Sequence, residues 1–307
     1  MGLGAVTQNL HEELITLSEV ASQDLPDGTL YVVGMPIGNA ADITVRALWV
    51  LSRVDAIAAE DTRLTRPLLL RYGIRTPLIA AHQHNEREVA QQIVARITRG
   101  ERIALVTDAG TPAISDPGAL IVRTLLDAGH RVIPIPGPSS AVAALSAAGL
   151  SAGPFTFAGF LPTAARERER ALRMLAADAK PFVLFEAPHR IADLLALLTI
   201  ALQPERRVVL ARELSKKFET ITSHLASELS ALTVEQRGEY VVLVDAAPAS
   251  DAEAAEIDSS LAKWLSALLE EMPPARAAAI AAKASGRPRQ LLYSLALRLQ
   301  AGARSSS

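Results

Sequence analysis

Seven carboxylates fall in polar segments that flank apolar runs: Glu60, Asp61, Asp108, Asp116, Glu186, Glu213 and Glu219. Carboxylates held in loops can accept a proton from a substrate, and the chain has no cysteine. Two Gly/Pro-rich turns stand among them. Leu30-Tyr31-Val32-Val33 runs into Gly34-Met35-Pro36-Ile37-Gly38-Asn39, and Ile103-Ala104-Leu105-Val106 runs into Thr107-Asp108-Ala109-Gly110-Thr111-Pro112. Short apolar runs ending in glycine, proline and polar side chains read as buried parallel strands whose C-terminal loops shape a ligand crevice.

The turns exclude as well as suggest. A dinucleotide-binding turn needs G-x-G-x-x-G, so that backbone can approach a pyrophosphate. Here Pro36 sits between Gly34 and Gly38 and supplies no N–H, which makes a poor phosphate cradle. No G-x-x-x-x-G-K-[ST] occurs either. The turn suits a ligand with few anionic oxygens and more need for shape and carbonyl contacts. S-adenosylmethionine, with an adenosine, an amino-acid tail and a sulfonium, has those properties. His82-Gln83-His84-Asn85 offers two histidines but no third ligand at clear spacing, so a polar loop or an RNA contact is expected there and no metal.

The elements that must position these groups alternate regularly from Gly28. Apolar runs at 30–33, 54–59, 77–81, 103–106 and 131–135 interleave with helical patterns at 43–53, 63–72, 86–99, 118–129 and 139–148. That alternation predicts a parallel sheet with helices on both faces. The turn-rich stretch from Gly149 to Pro154 reads as a linker. A second α/β set follows, with strands expected near 155–158, 181–185, 207–211, 218–222 and 239–245 and helices at 165–177, 188–202 and 224–232. Two such domains, 28–152 and 153–247, would build a cleft between them. Phe155, Phe157 and Phe160, near-alternating, read as core and domain-interface packing.

Residues 1–27 are acidic, with no Lys or Arg, and are expected to form a flexible arm that is neither a secretory signal nor a transit peptide. The longest apolar stretch, Ile191 to Leu202, contains Asp193 and is too short to span a bilayer, so a cytoplasmic protein without membrane contact is expected. A net charge of −2 argues against a protein that coats nucleic acid, although a local basic patch remains compatible with it. Residues 246–260 read as a linker, followed by helical patterns near 257–271, 274–284 and 288–300. From Met272 onward there is no Asp or Glu, while Arg276, Lys283, Arg287, Arg289, Arg298 and Arg304 are all basic. Such a tail at 248–307 suits a polyanionic partner or a solvated helical cap.

The ordered set of motifs resembles the tetrapyrrole methylase superfamily. Gly34 to Asn39 with Asp42-Ile43-Thr44, Ala59-Glu60-Asp61-Thr62-Arg63, Thr107 to Pro112 with Ser115-Asp116-Pro117-Gly118, and Pro136-Gly137-Pro138-Ser139-Ser140 carry the likeness. Within it, His82 to Asn85, Gly159-Phe160-Leu161-Pro162, Glu186-Ala187-Pro188-His189-Arg190 and Ala211-Arg212-Glu213-Leu214-Ser215-Lys216 resemble the bacterial 16S rRNA (cytidine-2′-O)-methyltransferase branch. One departure is Met35, where that branch usually has Thr; a lost hydroxyl there would alter a ligand contact.

The resemblance implies a two-domain α/β methylase, often homodimeric, with S-adenosylmethionine between the domains, a helical C-terminal domain and no metal. Its substrate would be the ribose 2′-hydroxyl of a cytidine in the decoding region of the small ribosomal subunit. Pro36, Gly38, Asp108, Gly110, Thr111, Ser115, Asp116, Gly137 and Ser139 would then hold the methyl donor. Glu60, Asp61, Arg63 and Glu186 would serve catalysis, with the base undecided between Glu186 and Glu60. His82, Asn85, Arg190, Arg212 and Lys216 would contact RNA. A tetrapyrrole C-methyltransferase and a non-catalytic RNA-binding assembly protein are the competing readings; the motifs at 186–190 and 212–216 disfavour the first and the intact loops the second.

Overall fold

The computed structural model describes residues 13–299, apart from 14, 17, 152, 179, 248–250, 287–288, 290–291, 294 and 298. The chain divides into two compact units, Met1–Ala247 and Pro248–Ser307. In the first unit a five-stranded sheet has the order β3-β2-β4-β1-β5, built from β1 (Thr29–Val33), β2 (Ala56–Ala59), β3 (Leu78–Ala80), β4 (Arg102–Val106) and β5 (Arg131–Ile135). Every pairing is parallel.

The strands read as unbroken apolar runs because both faces are covered. Tyr31, Val33, Ile57, Ala59, Ala104 and Val106 pack into one core, whereas Leu30, Ala56, Ala58, Ile103 and Leu105 pack into another. Residues alternate between the two cores, as the period of a strand requires. Helices α1 (Val45–Arg53) and α2 (Thr62–Arg71) cover the first core, and α3 (Glu86–Thr98) and α4 (Ala119–Asp127) the second. The chain leaves β1 toward β2 and leaves β4 toward β5, in opposite directions across the sheet. The crevice between the C-terminal ends of β1 and β4 is therefore the topological switch point where open α/β sheets bind ligands.

Helix α5 (Ser140–Ala148) carries the chain to a second sheet, ordered β6-β7-β10-β8-β9. It comprises β6 (Thr156–Phe160), β7 (Phe182–Glu186), β8 (Arg207–Arg212), β9 (Thr220–Leu225) and β10 (Tyr240–Val244). Only β6 and β7 pair in parallel; the other neighbours are antiparallel. Helices α6 (Ala165–Ala177) and α7 (Ile191–Ala201) and a 3-10 segment at Ala226–Ala231 close one face. A short 3-10 segment thus stands where the sequence suggests a helix over 224–232. The other face receives Ala141, Ala144 and Ala148 of α5 together with Ile37 and Leu214. The two lobes share this core.

Two further expectations change. Part of the presumed flexible arm is docked: Val20 is buried in the first core, Leu25 packs against it, and Arg102 donates to the Leu25 carbonyl. Residues 1–12 lie outside the described residues. The stretch 246–260 is not all linker, because helix α8 spans Asp251–Glu271. Its opening Asp-Ala-Glu-Ala-Ala-Glu is rich in strong helix formers. In that second unit α9 (Pro274–Ser285) starts on a proline and stops at left-handed Gly286. Leu265, Ala277, Ala278, Ala281, Leu292 and Ala296 form its core, and the described residues between 289 and 299 are helical. Arg287, Arg298 and Arg304 lie outside the described residues. Among the described residues no helix is long and apolar enough to cross a membrane.

Candidate functional site

The two Gly/Pro turns meet backbone to backbone. Met35 N–H donates to the Gly110 carbonyl at 2.7 Å and Gly110 N–H returns a bond to Met35 at 3.1 Å. The Met35 side chain is buried in the core, so what it contributes to the loop is this bridge and its packing. A third loop is pressed on the first: a Cβ on Gly137 would lie 2.7 Å from the Gly34 carbonyl oxygen, and one on Gly34 2.8 Å from the Gly137 Cα. Glycine is required at both by close approach. Pro36 is buried beside them. Thr111 donates to the Pro138 carbonyl at 3.3 Å, and Ser139 precedes α5 without a side-chain capping bond.

Carboxylates gather at the ends of β2 and β4. Glu60 accepts from the Thr107 hydroxyl at 2.6 Å, and Asp108 accepts from Asp61 N–H at 3.0 Å. Burial, then the charges of Glu60 and Asp108, raise the Asp116 carboxyl to about 6. Burial raises Asp108 as well. Asp61 behaves differently. It caps α2 through Arg63 N–H at 2.8 Å and grips the Arg63 guanidinium at 2.6 Å, which holds its carboxyl down at about 2. A carboxylate so satisfied is a weak base. Glu86, which the sequence did not single out, accepts from Gly118 and Leu120 N–H, both at 2.9 Å, and so fixes the start of α4 behind the loop.

Facing these loops, the second lobe presents the ends of β6 and β7 and the segment 213–216. A cavity of about 290 Å³ lies between, its wall including Ile37, Ser115, Asp116, Phe160, Glu186 and Tyr240. The wall also has Glu239 and Ser140, and among the described residues no Lys or Arg. Among the described residues, four of the five non-glycine residues in the left-handed region are Ala113, Ser115, Glu213 and Ser215. Strained backbone thus clusters in the two loops that face each other across the cleft, as it does at functional sites.

Most of the second lobe's polar motif residues are engaged internally. Arg190 donates to the Pro162 carbonyl at 3.2 Å and faces Glu186 at 3.4 Å. Lys216 pairs with Glu213 at 3.0 Å and Glu239 at 3.1 Å, and its stem lies over Gly38 so closely that a Cβ there would be 2.4 Å from Cγ. Arg212 donates to the Arg237 carbonyl at 2.9 Å. Ser215 donates to Asp42 and ties the lobes together. Asn85 accepts from His82 N–H and donates to the Ala80 carbonyl, closing its own turn; the His82 side chain is exposed. Among the described residues no three His, Asp or Glu side chains come together as metal ligands would.

Phe157 and Phe185 pack edge to face at 5.1 Å, as core rings. Phe160 does not follow them inward. A register shift between Phe157 and left-handed Gly159 bulges β6, and Phe160 emerges 55% exposed on the cavity wall.

A parallel sheet and a mixed sheet share a cleft at the strand ends, the two-lobed architecture of the solved tetrapyrrole-type methylases. Solved structures share the fold: uroporphyrin-III C-methyltransferase from Thermus thermophilus is 22% identical, with a TM-score of 0.53 over 71% of this chain and 94% of that one. The methyltransferase CobJ is 20% identical, with a TM-score of 0.55 over 72% and 95%. Residues 29–230 match the family model of tetrapyrrole (corrin/porphyrin) methylases, and residues 251–300 match that of the RsmI C-terminal HTH domain. The protein named ribosomal RNA small subunit methyltransferase I is 44% identical in Escherichia coli, over 91% of this chain and 98% of that protein. Its counterpart in Pseudomonas aeruginosa is 47% identical over 89% and 98%. The chain belongs to the tetrapyrrole methylase family and, within it, to the ribosomal RNA small subunit methyltransferase I group.

Proposed function

We propose that the protein transfers a methyl group from S-adenosylmethionine to the ribose 2′-hydroxyl of a cytidine in the decoding region of 16S rRNA, within the small ribosomal subunit. The observation that carries the donor assignment is the character of the cavity: its wall holds Asp116, Glu186 and Glu239, two serines and apolar side chains, with no Lys or Arg among the described residues. Glu186 and Glu239 are paired with Arg190 and Lys216, and the acceptors that remain, Glu186 Oε2 and the Asp116 carboxyl, favour a ligand bearing N–H donors. The donor supplies, when bound, an electrophilic methyl group activated by its own sulfonium charge.

The residues do the rest. Backbone at Pro36, Gly38, Gly110, Thr111 and Gly137, locked by the Met35–Gly110 bridge, sets the floor of the donor site, and Asp108, Ser115 and Ser139 add polar groups at its edge. Rigid placement matters most, since alignment of two reactants at about 3 Å supplies roughly 7–11 kcal/mol. Asp116 is the proton acceptor in this reading: it lies on the cavity wall, and a carboxyl raised to about 6 is matched to neutral pH as a base. Glu60 raises it by charge. Arg63, exposed although paired with Asp61, and the exposed His82 are the RNA-phosphate ligands of this reading, and a basic tail from Met272 onward suits the same partner. The active form is a cytoplasmic homodimer in this reading, by family resemblance.

The test uses labelled donor, purified protein and small subunits from a strain lacking the gene, with ribose methylation mapped afterwards. Label at a cytidine 2′-oxygen is the expected result. Label passed only to uroporphyrinogen, or tight RNA binding without transfer, overturns the reading.

A further inference from the structure

Glu186 and Phe160 form a pair that the methyl-transfer reading does not explain. Glu186 is 2% exposed, and its two oxygens have different fates. One accepts from Ala187 N–H at 2.9 Å and faces Arg190. The other, Oε2, has no hydrogen-bond partner. A buried acceptor left without a donor costs about 1–3 kcal/mol, more for a charged group, so such atoms persist where a ligand satisfies them. Phe160 pairs in register with Phe185, the residue before Glu186, and their rings stand 5.6 Å apart, edge to face. Phe160 and Glu186 belong to the wall of one cavity. The β6 bulge that turns Phe160 outward is the kind that re-aims a side chain toward a site.

An exposed aromatic ring beside an unsatisfied carboxylate oxygen suits a planar base that stacks on the ring and donates from an exocyclic amine. We propose that Phe160 and Glu186 form a recognition subsite for an amino-bearing nucleobase, adenine or cytosine, at the methyl-transfer site. A keto base turns an acceptor toward an acceptor there and is rejected, since a site built around a buried hydrogen bond discriminates strongly against a ligand that cannot make it. This rests on the methyl-transfer reading, which allows two sources for the base: the adenine of the donor and the target cytidine.

The experiment compares full-length wild-type protein with Glu186→Gln and Phe160→Leu. Gln keeps an oxygen for Ala187 N–H and turns an amide N–H2 to where Oε2 stands. Calorimetry measures binding of S-adenosylhomocysteine and of its inosine counterpart, which carries a keto oxygen in place of the amine. Methylation is then measured on small subunits carrying C or U at the target. If adenine is the ligand, wild type prefers S-adenosylhomocysteine at least tenfold, Glu186→Gln erases the preference, and Phe160→Leu weakens binding about 5- to 100-fold. If cytosine is the ligand, S-adenosylhomocysteine binding is unchanged, while the preference for C over U falls in both variants. Folded variants that match wild type in all four measurements overturn the subsite and leave methyl transfer standing. A wild-type protein that neither binds S-adenosylhomocysteine nor methylates subunits overturns the underlying function instead. Should Glu186→Gln fail to fold, Phe160→Leu, at an exposed position, decides alone.

Discussion

On the first-lobe side of the cleft, carboxylates accumulate without counter-charge; on the second-lobe side they are matched to cations. Glu60, Asp108 and Asp116 crowd the ends of β2 and β4, and the nearby Arg63 is committed to Asp61. Opposite them, Glu213 is half-buried, which pushes its carboxyl up, yet the Lys216 ammonium and Glu239 N–H outweigh that desolvation and hold it below the usual range. The same residue type is thus prepared to bind a proton on one wall and prevented from doing so on the other. The first wall suits a donor-rich ligand, while most charges of the second wall hold its own shape and leave Glu186 Oε2 as its unpartnered acceptor.

Shape is also what the first wall's backbone contributes, and its failure gives the largest expected effect. Gly137→Ala places a methyl 2.7 Å from the Gly34 oxygen and pushes two loops apart. A displacement near 1 Å at a reacting centre costs about 100-fold in rate, and here the donor floor itself moves. S-adenosylhomocysteine binding should fall below detection by calorimetry. Retained binding would mean that the donor site does not depend on the glycine pair.

Asp116→Asn tests the unbalanced charge. Wild-type kcat/KM should fall about tenfold per pH unit below 6 as the base takes up a proton, and the Asn variant should lose that limb along with about 10²–10⁴ in rate. Stability moves the other way. A folded carboxyl raised to about 6 from 3.8 binds protons more readily than its unfolded form, so its contribution falls as pH rises through that window. Thermal melts should therefore show Asn more stable than wild type at pH 7 to 8, with the advantage gone below pH 4. A variant that retains the acid limb would put the base elsewhere.

The parts legible in sequence were those written in backbone terms. Strands buried on both faces show as apolar runs, and glycines required by close approach show as glycines, so the first sheet and its turns could be read directly. The unread parts depend on partners distant in sequence. Arg190 looks like a phosphate ligand until Pro162 and Glu186 are seen around it, and Lys216 until Glu239 is. Phe160 reaches the cleft for a local reason the sequence does not show: one extra residue in β6 reverses the face on which its ring falls. Arg190→Ala sharpens this point. It leaves Glu186 buried without its cation and releases the carbonyl of Pro162, so a loss of about 3–5 kcal/mol is expected in denaturant unfolding. A stable variant with weakened RNA binding would instead make Arg190 an RNA ligand.

The smallest expected effect probes whether a paired cation still serves RNA. Lys216→Met keeps an unbranched stem over Gly38 and removes the charge between Glu213 and Glu239. The ammonium is partly exposed, so stability should change by no more than about 1 kcal/mol. A lysine already neutralised by two carboxylates releases few counterions when RNA binds. The slope of log affinity against log salt should therefore stay within error of wild type, whereas loss of a true phosphate contact would reduce it by about one unit. A reduced slope would show that Lys216 exchanges its carboxylates for phosphate on binding, and the second wall would then be a surface that rearranges with its substrate.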